Sequence, residues 1–403
     1  MGAARPTLAL YTPHYLMVSM TFVHRQLLGA AAAFRPIVLA GSVDHLDLFP
    51  FDPIFCCEQG FIGAKLAALA RRIVRENRLL TPAQLLYFAR VLRRERASLI
   101  HAHFGPGGLE MLPLARALGI PLLVTFHGYD ASSLLRDESY CRSLRRLFRH
   151  AHVITVSELM RRRLLEYGAR PEGTQVHYIG VPVEEFAFVE RRPPAEKLAA
   201  GEAVRFLQVS NFKEKKGHRY TLEAFRAVAA RHPGCRLTLA GDGPLRAEME
   251  QLAEKLGIRD RVSFPGAVSK ETVIPLMHES DLFLHHSVTG ADGDEEGIPT
   301  VLMEAMATGL PVVSTRHAGI PELIESGVTG VLVAERDVAA YASAICELLE
   351  DGQPEMGRRA AAFVREHFDL ERQNAELAKI YRWVVAQSAS SIKGRPRTAA
   401  LCS

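Results

Sequence analysis

The stretch "DLFLHHSVTGADGDEEGIPTVLMEAMATGLPVVST", residues 281–315, reads as a strand, a helix and a second strand. "DLFLHHS" and "PVVST" are short apolar runs of the kind buried on both faces of a parallel sheet. Between them, "IPTVLMEAMATG" has Pro299 suited to a first helical turn and Gly309 suited to the helix end. A strand, a helical crossover and a strand make a βαβ unit, which commits the chain to an α/β fold with a parallel sheet. Two acids bracket this helix: Glu296 just before it and Glu304 about a turn and a half inside. A run of valine, leucine and methionine between them has to face the sheet. A buried carboxylate needs hydrogen-bond donors, and ligand hydroxyls are one source of them. Taken alone, the spacing E-x7-E is a weak signal, and two solvated surface acids are the ordinary account of it.

Outward from this unit the rhythm recurs. "VRFLQVS", "CRLTLAG", "RVSFPG" and "GVLV" read as strands of the same half, with "RYTLEAFRAVAARH", "PLRAEMEQLAEKLG" and "VAAYASAICELLED" as helices. The earlier half alternates likewise through "TLALYT", "RPIVLAG", "SLIHAHF", "PLLVTFHG" and "AHVITVS", with a helical stretch over about 62–96. A chain of 403 residues exceeds what one core organises. The expectation is two doubly wound, Rossmann-like domains around a cleft, binding ligands outside the carboxyl ends of their strands. Residues 1–186 form the first domain and 187–203, Pro- and Ala-rich without apolar alternation, a linker. Residues 204–365 form the second domain. A terminal helix over 366–387 packs back toward the first, and 388–403 is a tail without regular structure.

Several function classes drop out. No apolar run is long enough for a membrane span, since Arg35 and Pro36 break "LLGAAAAFRPIVLA". The N-terminus lacks the core of a secretory signal. Six cysteines without a C-x-x-C pair support neither a zinc site nor a disulfide framework, so a cytoplasmic setting with reduced thiols is expected. Residues 61–170 carry 18 Arg and one Lys against eight Asp and Glu, a net +11, while the whole chain carries only +4. Such a field attracts anionic surfaces. Nucleic acid is not among the expected partners, because the Arg clusters lack interleaved stacking aromatics.

In "VSNFKEKKGHRYTLEAF", Lys213, Lys215, Lys216 and Gly217 stand on a strand-to-helix turn, where an ammonium can reach a phosphate. "LAGDGPLR" places Gly241 and Gly243 at another strand end, open to close backbone approach. The N–H groups near Gly297 and Ile298, at the positive end of the 299–309 helix, suit a phosphate. His101 and His103 share one strand face; a packing role is expected of them rather than a metal site.

These motifs together resemble glycosyltransferase family 4, retaining enzymes of the GT-B fold, and especially its bacterial exopolysaccharide branch with the colanic-acid glycosyltransferases. The likeness spans roughly residues 7–385 and is densest in "EEGIPTVLMEAMATGLPVVSTRHAGIPELIESGVTGVLV", with "HAHFGPGG", "VTFHGYD", "VITVSELMRRRL" and "VHYIGVPVEEF" supporting it. The resemblance implies that Glu296 contacts the hydroxyls of the transferred sugar and Glu304 the ribose of the nucleotide. Lys216 would neutralise the diphosphate together with amides near Gly319 and Ile320 or the start of the 299–309 helix. Asn211, Lys213, Gly241, Gly243, Gly297, Ile298 and Pro299 complete the donor side. His127 in "TFHGYD" matches the histidine that faces the donor sugar, and Ser19, Thr21, His103 and Asp130 fall on the acceptor side. The family needs no metal or other cofactor.

Two departures stand out. Ser210-Asn211-Phe212 replaces a segment where the family often carries arginine, and Ser19-Met20-Thr21-Phe22 lacks the acid of the branch's S-E-T-F. The implied reaction moves a hexose from a nucleotide-diphosphate sugar, UDP-hexose first and GDP-mannose second, to a hydroxyl of a glycan or polyprenyl-diphosphate-linked acceptor. The anomeric configuration is retained by front-face substitution. The basic first domain would meet an anionic membrane peripherally. A non-hydrolysing nucleotide-sugar 2-epimerase and a catalytically silent sugar-nucleotide-binding protein are the rival readings. The E-x7-E block with "TFHGYD" favours the transferase over the first, and the presence of Glu296, Glu304, Lys216 and His127 together counts against the second.

Overall fold

The computed structural model describes residues 5–17, 20–58, 80–351 and 354–393. Its contacts divide these residues into two compact units. One takes the chain to Val156, then Arg161–His177 and the residues from Glu371 onward; the other takes Ser157–Met160 and Tyr178–Leu370.

In the first unit, seven strands line up in the order β3-β2-β1-β4-β5-β6-β7. They are β1 (Thr7–Tyr15), β2 (Arg35–Val43), β3 (Ile54–Cys56), β4 (Ala97–His103), β5 (Leu122–Phe126), β6 (Ala151–Thr155) and β7 (Thr174–Val176). All the pairings are parallel. The order reverses between β1 and β4, so the crossovers leaving these neighbours diverge and open a crevice at their carboxyl ends. The helix expected over 62–96 is cut at Thr81, whose side chain and Gln84 form a capping box for a helix over Pro82–Arg94. Residues 59–79 lie outside the described set. Leu377, Tyr381 and Val384 of the Leu370–Lys393 helix pack on Leu8, Phe34, Leu99 and Leu123 of this unit.

Six parallel strands form the second sheet, in the order β10-β9-β8-β11-β12-β13. They are β8 (Val204–Val209), β9 (Cys235–Ala240), β10 (Val262–Gly266), β11 (Leu282–His285), β12 (Val312–Thr315) and β13 (Val331–Val333). Here the reversal lies between β8 and β11. One apolar cluster holds Phe206, Leu222, Phe225, Leu239 and Ile345, and a second holds Leu207, Phe283, Leu302, Met306 and Leu323. Leu302 and Met306 belong to the helix read from the opening stretch, which runs over Thr300–Ala307. Pro299 is its N-cap rather than a first-turn residue. Its end is a Schellman motif: Gly309, at φ +74°, donates to the Met306 carbonyl at 2.9 Å, and Leu310 to that of Ala305 at 3.1 Å.

Three segment boundaries differ from expectation. The change of unit falls at Tyr178, ahead of residue 187, because Val181, Val183 and Phe186 pack into the second core. Residues 187–203 are not a free connector. They contain a short helix over Pro194–Ala199, and the Arg191 guanidinium donates to the carbonyls of Val189, Met277, Ser280 and Thr308. The last helix continues to Lys393, into the stretch expected to be irregular; residues 394–403 lie outside the described set.

Candidate functional site

In the second unit the reactive side chains cluster at the carboxyl ends of the neighbouring strands β8 and β11, where the strand order reverses. After β8 the chain makes a 3-10 turn over Glu214–Lys216 and then Gly217, at φ +63°. A Cβ at Gly217 would stand 1.7 Å from the His286 carbonyl oxygen, so only glycine lets this turn press against the loop that follows β11. Gln208, at 0 % exposure, donates to the Lys216 carbonyl at 2.9 Å and accepts from Thr221 Oγ1 at 2.8 Å. Lys216 is thereby held from behind.

The loop after β11 carries Glu296 to meet it. Lys216 Nζ and Glu296 Oε1 form an ion pair at 2.5 Å, with both side chains largely withdrawn from solvent. Lys215 binds the Asp294 carboxylate at 2.9 Å and the Glu295 carbonyl at 3.2 Å, and Glu214 accepts from the Ala291 N–H at 3.0 Å. His285, at the end of β11, brings Nε2 within 4.0 Å of Glu296 Oε1. Burial pushes the Glu296 pKa up, yet the pull of Lys216, His285 and Lys215 outweighs it and leaves the value well below the usual carboxylate range. The Lys215 pKa is raised for the complementary reason, its acidic neighbours overcoming burial. Glu296 is thus a charged group despite its burial.

A third loop, after β12, closes on the same residue. Glu296 donates its main-chain N–H to His317 Nε2 at 3.1 Å, and His317 Nδ1 meets Glu335 Oε1 at 2.6 Å. Gly319 approaches Gly297 so closely that a Cβ would stand 2.9 Å from the Gly297 oxygen and 2.7 Å from Ile298 Cγ1. The expected amide donors at Gly319 and Ile320 are already engaged: Gly319 donates to Gly297 O at 3.3 Å and Ile320 to His317 O at 3.0 Å. Neither of these two N–H groups is therefore free to meet a phosphate. Ile298 and Ile320 have their side chains in the core.

The remaining donor-side residues fall as follows. Glu304 is half-buried rather than enclosed, at mid-helix. Asn211 is half-buried with its Oδ1 shielded from solvent, and Lys213 is exposed. Gly241 and Gly243, at φ +145° and +152°, make room for the neighbouring loop: a Cβ on either would meet the backbone of Ser210 or of Phe212. Their conformation is therefore accounted for by packing between loops.

In the first unit, His103 at the end of β4 and His127 just after β5 join Nδ1 to Nε2 at 3.0 Å, with stacked rings. Phe22 and Phe104 flank His127. Burial lowers the pKa of His103 to about 3 and that of His127 well below its ordinary value, so both are neutral at pH 7. Asp130, completely buried, accepts from the N–H groups of Gly105, His127 and Gly128 at 2.9, 3.0 and 3.0 Å. It ties together the loops after β4 and β5, which corrects its expected place facing an acceptor. His101 has Tyr381 on one ring nitrogen and Thr125 on the other, at 2.9 and 2.7 Å, in keeping with packing. Thr21 opens a helix over Thr21–Ala30 and is half-exposed; Ser19 lies outside the described residues. Among the described residues, no three His, Cys, Asp or Glu side chains are grouped to hold a metal ion.

Sequence reasoning did not single out His285, His317, Glu335 or Gln208. "HHS" at a strand end and "TRHAGIPE" were the available signals, and neither says what its histidine touches.

Two parallel α/β sheets, with charged and imidazole side chains gathered at strand carboxyl ends, define a GT-B protein. Comparison gives the family. The model "Glycosyl transferases group 1" matches residues 191–366, and "Glycosyltransferase Family 4" matches residues 50–185. WcaL of Salmonella typhimurium, a glycosyltransferase named for colanic acid biosynthesis, is 35 % identical over 295 residues, covering 72 % of this chain and 71 % of its own. The amylovoran biosynthesis glycosyltransferase AmsK of Erwinia amylovora is 35 % identical over 256 residues, 62 % of this chain and 61 % of its own. Among solved structures, Anabaena HepE in complex with UDP superposes with TM-score 0.77 at 21 % identity, over 94 % of this chain and 99 % of that one. The chain belongs to the group 1 glycosyltransferases.

Proposed function

We propose that the protein transfers a hexose from a nucleotide-diphosphate sugar to a hydroxyl of a glycan or polyprenyl-diphosphate-linked acceptor, with retention of anomeric configuration. UDP-hexose is the first choice of donor and GDP-mannose the second; the UDP and UDP-glucose held by the HepE structures favour this order. The observation that carries the reading is the buried Lys216–Glu296 pair on the loops after β8 and β11. A charged carboxylate out of bulk water is a strong acceptor for sugar hydroxyls, and the ammonium beside it is suited to a diphosphate.

Glu296 would hold the transferred sugar, Glu304 the ribose, and Lys216 with the start of the Thr300–Ala307 helix the diphosphate. As the glycosidic bond to the leaving phosphate breaks on the face where the acceptor oxygen bonds, that phosphate oxygen takes the acceptor proton. Lys216 stabilises the charge that develops there. His127 has a pKa too low for a strong proton acceptor at neutral pH, which supports a positioning role toward substrate hydroxyls over that of an obligatory base. No metal or cofactor enters this scheme.

The first unit would also contact anionic membrane. His150 lies among Arg116, Arg149, Arg170 and Arg146, a cationic group on that unit. Among the described residues no helix is long and apolar enough to cross a bilayer.

The test is a panel of nucleotide sugars read by thermal shift and by slow donor hydrolysis, followed by anomeric analysis of the product. One donor should bind with an affinity in the range of about 1 μM to 1 mM. A panel without a binder would refute the transferase reading, and a rearranged nucleotide sugar formed without acceptor would establish the epimerase instead.

A further inference from the structure

We infer that His317 and Glu335 are positioning residues for Glu296, acting as a two-step relay that fixes the loop carrying the sugar-binding carboxylate. The inference rests on the reading of Glu296 given above.

The relay follows from hydrogen-bond direction. A main-chain N–H can only donate, so His317 Nε2, 3.1 Å from the Glu296 nitrogen, has to present a lone pair. The ring proton therefore sits on Nδ1, where it is donated to Glu335 Oε1 at 2.6 Å. Glu335 selects the tautomer, and the tautomer selects the position of the Glu296 backbone. The His317 ring is 1 % exposed, so water does not substitute for either partner.

Glu335 does more than orient the ring. Its other oxygen accepts from the Thr289 N–H at 2.9 Å, and the adjacent Arg336 N–H donates to His286 Nε2 at 3.0 Å. The chain after β13 thus grips the β11 loop near its start, and His317 extends that grip to Glu296. On the opposite side, Glu214 and Lys215 hold the same loop at Ala291, Asp294 and Glu295. Lys216 fixes the Glu296 carboxylate, whereas His317 fixes the backbone from which it projects. A carboxylate displaced by about 1 Å can cost on the order of a hundredfold in rate.

Two replacements of one ring separate the roles. His317→Gln keeps an acceptor where Nε2 stood, and His317→Asn keeps a donor where Nδ1 stood while leaving the Glu296 N–H without a partner. Each is compared with the parent, with Glu335→Leu, with Glu296→Gln and with the pair Glu296→Gln/His317→Asn. Hydrolysis of the donor selected by the panel gives kcat and KM. Binding of the matching free nucleoside diphosphate, which has no sugar, reports the rest of the site. His317→Asn should lower kcat about tenfold to a hundredfold, His317→Gln should recover most of it, and nucleoside diphosphate affinity should stay within about twofold. On the Glu296→Gln background, His317→Asn should cost little more, because two residues acting on one step are not additive.

Parent-like kcat in His317→Asn beside an impaired Glu296→Gln overturns the relay and leaves the sugar-binding role of Glu296 standing. Full activity in Glu296→Gln removes that role, and the relay with it. If His317→Asn does not fold, Glu335→Leu carries the test: it removes the oxygen that accepts from His317, so the relay requires it to lose kcat with nucleoside diphosphate affinity unchanged, and a parent-like kcat refutes it.

Discussion

Replacing Lys216 with methionine isolates the energetics of the buried pair. The substitution keeps most of the side-chain volume and deletes the charge, so Glu296, at 9 % exposure, loses its 2.5 Å partner. Breaking a buried ion pair on one side typically destabilises by about 3–5 kcal/mol, because the remaining charge is uncompensated. Lys215 is also among the charges acting on Glu296, which favours the lower end. For a unit of this size, each kcal/mol moves Tm by about 2–4 °C, giving a fall on the order of 6–20 °C at pH 7. The pH dependence adds a signature. In the parent, the Glu296 pKa is depressed, so the pair's contribution is present above the ordinary carboxyl value of 4.5 and fades as pH falls through the folded value. In Lys216→Met, burial dominates and the folded pKa rises. The penalty is then felt at pH 7 and disappears once the carboxyl is protonated in both states. The parent–variant gap should therefore narrow as pH drops toward about 4.5. Lys216→Met/Glu296→Gln should return to within about 1 kcal/mol of the parent, since removing both charges removes the desolvation problem. Calorimetry of the three proteins at two pH values decides the matter. A single variant as stable as the double one, with a gap independent of pH, would refute the claim that this pair is buried and mutually dependent.

Three further outcomes follow from the same physics. Burial holds His103 and His218 at about 3 and His286 at about 4, against an ordinary 6.5. The unfolded chain therefore binds protons first as pH falls below 6.5, and each neutral imidazole removes about 2 kcal/mol of stability by pH 5; a denaturant midpoint unchanged between pH 7 and pH 5 would contradict this. Gly217→Ala should cost at least about 2 kcal/mol, measured by urea unfolding, because φ +63° is unfavourable to alanine and its Cβ would overlap the His286 oxygen; a neutral effect would show that the two loops separate freely. If the basic first unit serves membrane contact, binding to anionic liposomes should exceed binding to neutral ones and weaken as salt rises from about 50 to 200 mM, and equal binding to both would rule it out.

Much of the fold was legible because buried parallel strands announce themselves. "VRFLQVS", "CRLTLAG" and "PVVST" are apolar runs with helices between them, and each became a strand where expected. The three-residue edge strand β3, "IFC", has too few residues to show a pattern, and its side chains are only half-buried. The Tyr178 boundary was hidden for a different reason. "GVPVEEF" is apolar enough to pack, but local composition does not say which of two sheets Val181, Val183 and Phe186 will cover. The Pro- and Ala-rich look of 187–203 suggested a connector, while the deciding contacts come from Arg191 to carbonyls some 90 to 120 residues away.

The site was legible as a set of residues and not as a set of pairs. Lys216 and Glu296 were both singled out, one for a phosphate and one for a sugar, and their meeting depends on strand order. β8 and β11 are neighbours in the sheet, whereas β9 and β10 continue outward from β8 on its other side. Only that order sets the turn after β8 against the loop after β11 and leaves Gly217 no room for a Cβ. The E-x7-E spacing is local, from the loop before one helix to the middle of that helix, so it has no access to this information. What the pairing adds is a competition: an ammonium that neutralises Glu296 at 2.5 Å is the same one assigned to the diphosphate. In the proposed scheme, a bound donor has to share Lys216 with the acid assigned to its sugar. Removing the acid's charge in Glu296→Gln frees the ammonium, and in the proposed scheme that opposes the loss of sugar contacts. The nucleotide half of the donor would then bind more firmly as turnover falls, a divergence that two independent ligand contacts would not produce.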